Sequence, residues 1–118
     1  MFDARKQEVY TALYDCRDEP TPLINDCVLP PATFLERLET PAIFVGEGAV
    51  RYRHEIEQRL GGRAHFAPPA VNAPRASSGA QLATMAFRRG DIPTLATLAP
   101  IYIRPSEAEL AKMRHSGL

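Results

Sequence analysis

Proline is frequent in this chain, and its placement limits the length of every helix and strand. The 118 residues include 11 prolines. Because proline lacks a backbone N–H and fixes φ, it interrupts the interior of a helix or a strand. Most of the prolines fall in three groups that separate apolar segments: Pro20 and Pro22; Pro30, Pro31 and Pro41; and Pro68, Pro69 and Pro74. The sequence therefore predicts short elements separated by turns.

Apolar patterns between the prolines predict an alternation of strands and helices. Strands are expected at Phe2 (the end of a strand) and over 9–14, 23–29, 42–45, 64–66 and 101–103, with an interruption at Asn25-Asp26. Helices are expected over 31–38, 50–60 and 76–88, and behind a capping box of Ser106 and Glu109. The fully apolar run 42–45 is typical of a strand covered on both faces. This order favours an α/β fold with a mixed sheet and flanking helices.

Composition excludes several classes of protein. Fourteen basic and fourteen acidic residues cancel, and the pI is about 6.8. A protein that binds nucleic acid on its own usually carries a basic excess, so direct tRNA binding is not expected. No apolar run approaches the roughly twenty residues of a membrane span, and nothing resembles a signal peptide. We expect a cytoplasmic protein whose Cys16 and Cys27 are free thiols.

Three short motifs occur in a fixed order along the chain. They are Asp3-Ala4-Arg5 with Glu8-Val9-Tyr10, then Gly46-Glu47-Gly48-Ala49, and finally Pro100 with Tyr102-Ile103-Arg104. In this order they resemble the C-terminal half of the bacterial TsaB (YeaZ-type) family, over about residues 2–107. That family is the non-catalytic partner of TsaD in making the threonylcarbamoyladenosine of tRNA, and a bacterial ATPase, TsaE, joins the assembly.

The resemblance implies a fold and a set of partners. The fold is one half-domain of an actin-like ATPase (ASKHA, ribonuclease H-like), over residues 1–104, followed by a tail helix at 105–118. The family's N-terminal domain is absent, which suggests a fragment. Because the family docks TsaD mainly through that domain, this chain is expected to bind TsaD weakly. An uncovered Phe2 edge and tail helix predict self-association.

The motif residues are the candidate ligand or partner contacts: Asp3, Arg5, Glu8, Tyr10, Gly46, Gly48, Tyr102 and Arg104. Two interpretations of the first motif are open. Arg5 or Lys6 contacts a phosphate or an acidic group of a partner, or Asp3, Arg5 and Glu8 form ion pairs across a hairpin. Working actin-like ATPases use glycines in the matching turn, so that backbone N–H groups approach phosphate. The turn 4–7 has no glycine, and Gln7 stands where the family commonly has one. This favours ion pairs.

The Gly46-Glu47-Gly48 turn follows a predicted strand and precedes a predicted helix, as a nucleotide-binding turn would. The third glycine of the dinucleotide fingerprint would fall at Arg51, so that motif is incomplete. The turn is either a vestige of a nucleotide site, with weak binding at most, or a sharp strand-to-helix connection. We expect no bound cofactor.

Catalytic motifs are incomplete as well. His54-Glu55 begins a zinc-type motif, but Gln58 stands where the second histidine would be. Ser77-Ser78 lacks the glycines of a nucleophile elbow and is expected to cap or open the following helix. The wider family's "glycoprotease" label therefore has no support here. The sequence predicts no metal and no enzyme activity; the alternatives are a small nucleotide-binding α/β domain and an unrelated α/β module.

Overall fold

The computed structural model describes residues 1–117 and has a mixed α/β architecture, as the sequence predicts. The strands are β1 (Phe2–Asp3), β2 (Val9–Asp15), β3 (Thr21–Leu29), β4 (Ala42–Phe44) and β5 (Ala64–Phe66). The helices are α1 (Pro31–Leu35), α2 (Glu47–Arg51), α3 (Arg53–Leu60), α4 (Ala76–Arg88) and α5 (Glu107–Ser116). Within residues 1–117, no helix has the length and apolar character needed to cross a membrane.

The strands form two sheets rather than the single mixed sheet expected. β1, β2 and β3 are antiparallel neighbours in that order, and β4 pairs with β5 in parallel. The predicted interruption at Asn25-Asp26 is a shift of register within a continuous β3, because Thr11 pairs with Cys27 whereas Leu13 pairs with Ile24. Such an extra residue is a β-bulge, which bends the strand without ending it.

The turn between β1 and β2 has an unusual backbone. Arg5, Lys6 and Gln7 have φ of 61, 51 and 58°, in the left-handed region. The turn is closed by the Ala4 N–H, which donates to the Glu8 carbonyl at 2.9 Å. Left-handed conformations cost L-residues other than glycine roughly 1–2 kcal/mol each. Three in succession therefore store strain in this turn, which contains no glycine.

The core lies between α1, α3 and β4. Phe34, Leu35 and Leu38 lie within the predicted helix 31–38 and are buried at 2, 3 and 5% exposure. Ile56 and Leu60 of α3 pack into the same cluster. Fully burying a side chain of this size stabilises a fold by about 1.5–3 kcal/mol. This cluster is the main source of stability for the first half of the chain.

Two expectations near the core are wrong in detail. The strand predicted at 42–45 is covered on one face only, since Ile43 is 73% exposed. The helix predicted at 50–60 begins earlier, at Glu47, and is divided in two at Tyr52, whose φ of −101° and ψ of 16° depart from helical values. It ends at Gly61 as expected, with φ of 53°.

The second half of the chain packs loosely. α4 has the predicted bounds but no fully buried residue, and Leu82 and Phe87 are exposed. Its N-cap is Arg75 with no side-chain bond, so Ser77 and Ser78 do not cap the helix, but they open it, since they lie in its first turn. The radius of gyration of 16.8 Å exceeds the ~13–14 Å of a compact domain this long. Residues beyond 67 therefore add surface rather than core.

The last predicted strand, 101–103, is wrong. Ile101 and Tyr102 are 88 and 83% exposed, and they join no strand in the part of the chain that the structure describes. Pro100 and Pro105 flank this segment and cannot donate to a ladder. The capping box that follows is confirmed, because Ser106 and Glu109 bond each other's backbone N–H. The tail residue Leu118 lies outside the described residues.

Candidate functional site

Arg104 joins the last motif to the first. Its guanidinium donates to the Glu8 carboxylate and, at 2.7 Å, to the Ala4 carbonyl, and it lies 5.5 Å from the centre of the Tyr10 ring. The Arg104 and Glu8 side chains are 19 and 32% exposed. Charge-assisted bonds in partly dry surroundings are stronger than surface ion pairs. Three predicted site residues, Glu8, Tyr10 and Arg104, thus form one cluster, named here the Arg104 clasp.

The other charges of the hairpin are paired as well. The Asp3 carboxylate, 11% exposed, lies 3.2 Å from Arg51 and 4.0 Å from Arg5. Lys6 bonds to Glu107 at the start of α5, and this bond lowers the pKa of the Glu107 carboxyl. The hairpin therefore makes ion pairs as the sequence favours, although Glu8 pairs with Arg104 rather than with Arg5. The bond between Lys6 and Glu107 joins the hairpin to the start of α5.

The glycine turn packs against the first residues of the chain. A Cβ on Gly46, whose φ is 104°, would lie 2.2 Å from the Met1 carbonyl oxygen. A Cβ on Gly48 would lie 2.9 Å from the Phe2 carbonyl carbon. Only glycine permits this approach of two backbones. Close packing of β1 on the turn thus accounts for both glycines.

Most amide groups in and just after this turn already have acceptors. The Gly46 N–H donates to the Asn72 side-chain oxygen at 2.9 Å, and the Gly48 N–H donates to the Met1 carbonyl at 3.1 Å. The N–H groups of Ala49 and Val50 both point to the Gly46 carbonyl. A phosphate would have to displace these bonds to use the same donors. The arrangement is suited to holding β1 in place.

Tyr102, the remaining candidate, lies apart from the buried part of the clasp. With Tyr10, Ile101 and Ile103 it lines a shallow depression of about 250 Å³ beside Arg104. The Tyr102 side chain is 83% exposed. An aromatic ring on the surface is more often part of a binding contact than of the core.

Sequence reasoning missed a larger groove. Phe2, Val50, Arg51, Pro69 and Asn72 line a mostly apolar groove of about 680 Å³. It lies where β1, α2 and the proline-rich segment after β5 meet. The exposed side of α2 could have indicated it, since Val50 is an apolar residue that faces away from Ile56 and the core. Two features therefore lie next to the glycine turn: this groove, and the ion pair of Asp3 with Arg51.

One comparison with known proteins supports a TsaB-like relationship of this chain. The chain is 28% identical over 113 residues to the tRNA threonylcarbamoyladenosine biosynthesis protein TsaB of Bacillus subtilis (strain 168). The alignment covers 92% of this chain and 48% of that protein, so the chain spans about half the length of the curated relative it matches. No protein-family model and no solved structure gives a significant match.

Proposed function

We propose that this chain is a non-catalytic component of threonylcarbamoyladenosine synthesis at adenosine 37 of tRNA. It corresponds, in this proposal, to the C-terminal domain of a TsaB-like partner of TsaD, with TsaE in the same assembly. The observation that carries the proposal is the similarity to Bacillus subtilis TsaB, which extends over 92% of the chain. A similarity of that extent is more than a short match confined to one motif.

The Arg104 clasp gives these motifs a physical role. Glu8 and Arg104 are 96 positions apart in sequence, yet their side chains bond. This charge pair holds the segment around Arg104 against the β1–β2 hairpin. In the proposal, this fixed segment is part of the surface that a scaffold offers to its partners. In the proposal the chain supplies shape and surface, and TsaD supplies the chemistry. Binding of TsaD by this chain alone is expected to be weak, since the family docks mainly through its N-terminal domain.

A chimera tests the function directly. The segment of Bacillus subtilis TsaB that aligns with this chain is replaced by residues 1–118, and the chimera is added to TsaD, TsaE, tRNA and the other substrates in place of TsaB. Mass spectrometry of the digested tRNA then measures threonylcarbamoyladenosine. We expect the chimera to restore the modification, and a chimera carrying Arg104→Ala to restore less.

Two controls make the result interpretable. Circular dichroism shows whether each chimera folds, so a folded chimera that restores no modification contradicts the proposal. The nucleotide-binding alternative is tested on the chain alone, by ATP turnover before and after Gly48→Val. Circular dichroism must show that this variant folds, because a side chain at Gly48 would meet the Phe2 backbone. Turnover that the folded variant has lost would favour the alternative and overturn the expectation of no independent catalysis.

A further inference from the structure

Residues 76–117, which include α4 and α5, lie outside the packed part of the protein. None of them is buried, and residues 91–102, which lie between the two helices, are exposed throughout. Leu95 and Ile101 are 91 and 88% exposed. Among the described residues, no backbone–backbone hydrogen bond joins 76–117 to 1–74. Neither apolar burial nor strand pairing therefore holds this part of the chain in place.

Charged side chains hold it instead. Three ion pairs join it to the turns of the three-stranded sheet: Arg89 with Glu19, Arg104 with Glu8, and Glu107 with Lys6. The pair at Arg89 is open to water, with side chains 50 and 57% exposed, whereas those of the pair at Arg104 are 19 and 32% exposed. Arg104 also donates to the Ala4 carbonyl at 2.7 Å. Among the described residues, the hydrogen bonds and ion pairs that cross between 1–74 and 76–117 thus all use a charged side chain.

The attachment points lie beyond opposite ends of β2. Glu19 is in the connection that follows β2, and Glu8 directly precedes its first residue, Val9. β2 has seven residues and therefore spans about 23 Å. Residues 90–103, called here the strap, connect Arg89 to Arg104 and could reach roughly 45 Å if extended. The strap is therefore slack, and one end can detach without pulling on the other.

We infer that residues 76–117 form a detachable arm, closed by these ion pairs and opened when the charges are screened, while residues 1–67 stay folded. Ion pairs exposed to water contribute little to stability, and salt weakens them further. Charge-assisted bonds in partly dry surroundings are stronger and are screened less. The arm should therefore open first at Arg89 and last at Arg104. This inference does not rest on the proposed role in tRNA modification.

Opening changes the position of α4 and leaves the core as it is. In the closed arm, the bond from Arg89 to Glu19 holds the end of α4 beside the connection between β2 and β3. Once this bond is lost, α4 and the strap form a loop anchored at residue 75 and at Arg104. This loop carries the exposed side chains of Leu82 and Phe87. The core does not change, because none of its residues lies after position 67.

A spin label tests the opening at Arg89. The label is placed on Cys16, an exposed thiol in the same connection as Glu19, in a chain in which Cys27→Ser leaves one reactive thiol. Its nitroxide broadens nearby amide resonances, and NMR measures this at residues 86–92 in about 0.01 and 1 M NaCl, where the Debye length is about 30 and 3 Å. We expect at least a threefold loss of broadening in high salt, with the dispersed resonances of 42–66 retained. Equal broadening in both salts, or a loss accompanied by unfolding of 42–66, would overturn the inference.

Charge reversal separates the ion pair from a general effect of salt. Glu19→Arg should lower the broadening at low salt at least threefold, and adding Arg89→Glu should restore both the broadening and its loss in salt. The matched control Glu57→Arg breaks the exposed pair with Arg53 inside α3 and should leave the broadening unchanged. The amide of Tyr10, which reports on the clasp, should shift at a higher salt concentration than the one that removes the broadening; the reverse order would contradict the order of opening. Failure of the exchanged pair to restore the broadening, in a chain that keeps the resonances of 42–66, would overturn the inference.

Discussion

Replacing Arg104 by alanine should destabilise the protein by about 2 kcal/mol. The change removes the charge-assisted bonds to Glu8 and to the Ala4 carbonyl, and the contact with the Tyr10 ring. A hydrogen bond to a charged group contributes about 1.5–3 kcal/mol, and a cation–π contact at an exposed site about 0.5–1 kcal/mol. Because the Glu8 side chain keeps 32% of its exposure, water replaces part of what is lost, and the lower end of the sum applies.

Urea and thermal unfolding, followed by circular dichroism, measure this loss. A change of about 2 kcal/mol should lower Tm by roughly 8 °C for a chain of this size. A double-mutant cycle with Glu8→Gln isolates the pair, and we expect a coupling free energy of about 1–2 kcal/mol. Arg104→Lys should recover less than half of the loss, since an ammonium does not reproduce the planar fork.

The exposed Arg88 of α4 is the matched control, and Arg88→Ala should change stability by less than about 0.5 kcal/mol. A coupling between Glu8 and Arg104 below about 0.3 kcal/mol, which is within the error of additivity, would refute the clasp as a stabilising element.

Four further outcomes follow from the structure. Gln7→Gly should stabilise the chain by about 0.5–1 kcal/mol, because glycine adopts the left-handed conformation of the turn without strain. The control Gln58→Gly, in α3, should destabilise the chain by about 1 kcal/mol. Urea titrations that show no difference between the two variants would contradict the account of the turn. Gly48→Ala should lower the free energy of unfolding by about 1–3 kcal/mol, because the added Cβ meets the Phe2 backbone. The control Gly79→Ala, which has open space around it, should stabilise α4. Equal melting temperatures of the two variants would argue against the close approach at Gly48. The pKa of Glu109 lies below its ordinary value of 4.5 because the carboxylate accepts a hydrogen bond from the Ser106 N–H. The stability that this bond gives to α5 is therefore complete above pH 4.5. It is lost as the pH falls through the lower pKa that Glu109 has in the folded state. Amide NMR of Ser106 should show this loss, and Glu109→Gln, which keeps an acceptor, should abolish the pH dependence. Light scattering from micromolar to millimolar concentration should show self-association to a dimer, the commonest closed assembly, since Phe2, Leu95 and Ile101 are exposed. A strict monomer throughout would contradict this.

Local patterns predicted the elements that depend on local physics. The capping box at Ser106 was readable because both partners lie within one turn, and the end of α3 at Gly61 because glycine tolerates a positive φ. The burial of Phe34 in α1 and of Leu38 just after it was readable from their helical spacing. Each of these signals lies within a few residues.

Features that depend on tertiary partners were not readable. The segment 101–103 has the composition of a strand but no neighbour to pair with in the described residues, so composition alone gave the wrong answer. The exposure of Ile43 depends on which face of β4 the helices cover.

The candidate site shows the same division. The motifs indicated its residues, but the bond from Arg104 to Glu8 joins positions 96 apart and needed the structure. The reason for Gly46 and Gly48, close packing of Met1 and Phe2, was likewise invisible in the sequence. Sequence spacing left open a vestigial nucleotide turn or a sharp strand-to-helix connection, whereas the geometry shows two backbones in contact.

The role in tRNA modification is tested most directly in the organism that makes this chain. Its coding segment is deleted, and threonylcarbamoyladenosine in bulk tRNA is measured by mass spectrometry against a strain in which the segment is restored. The proposal predicts a clear fall in this nucleoside, recovered on restoration and recovered less by the Arg104→Ala form. Unchanged threonylcarbamoyladenosine in the deletion strain would contradict it.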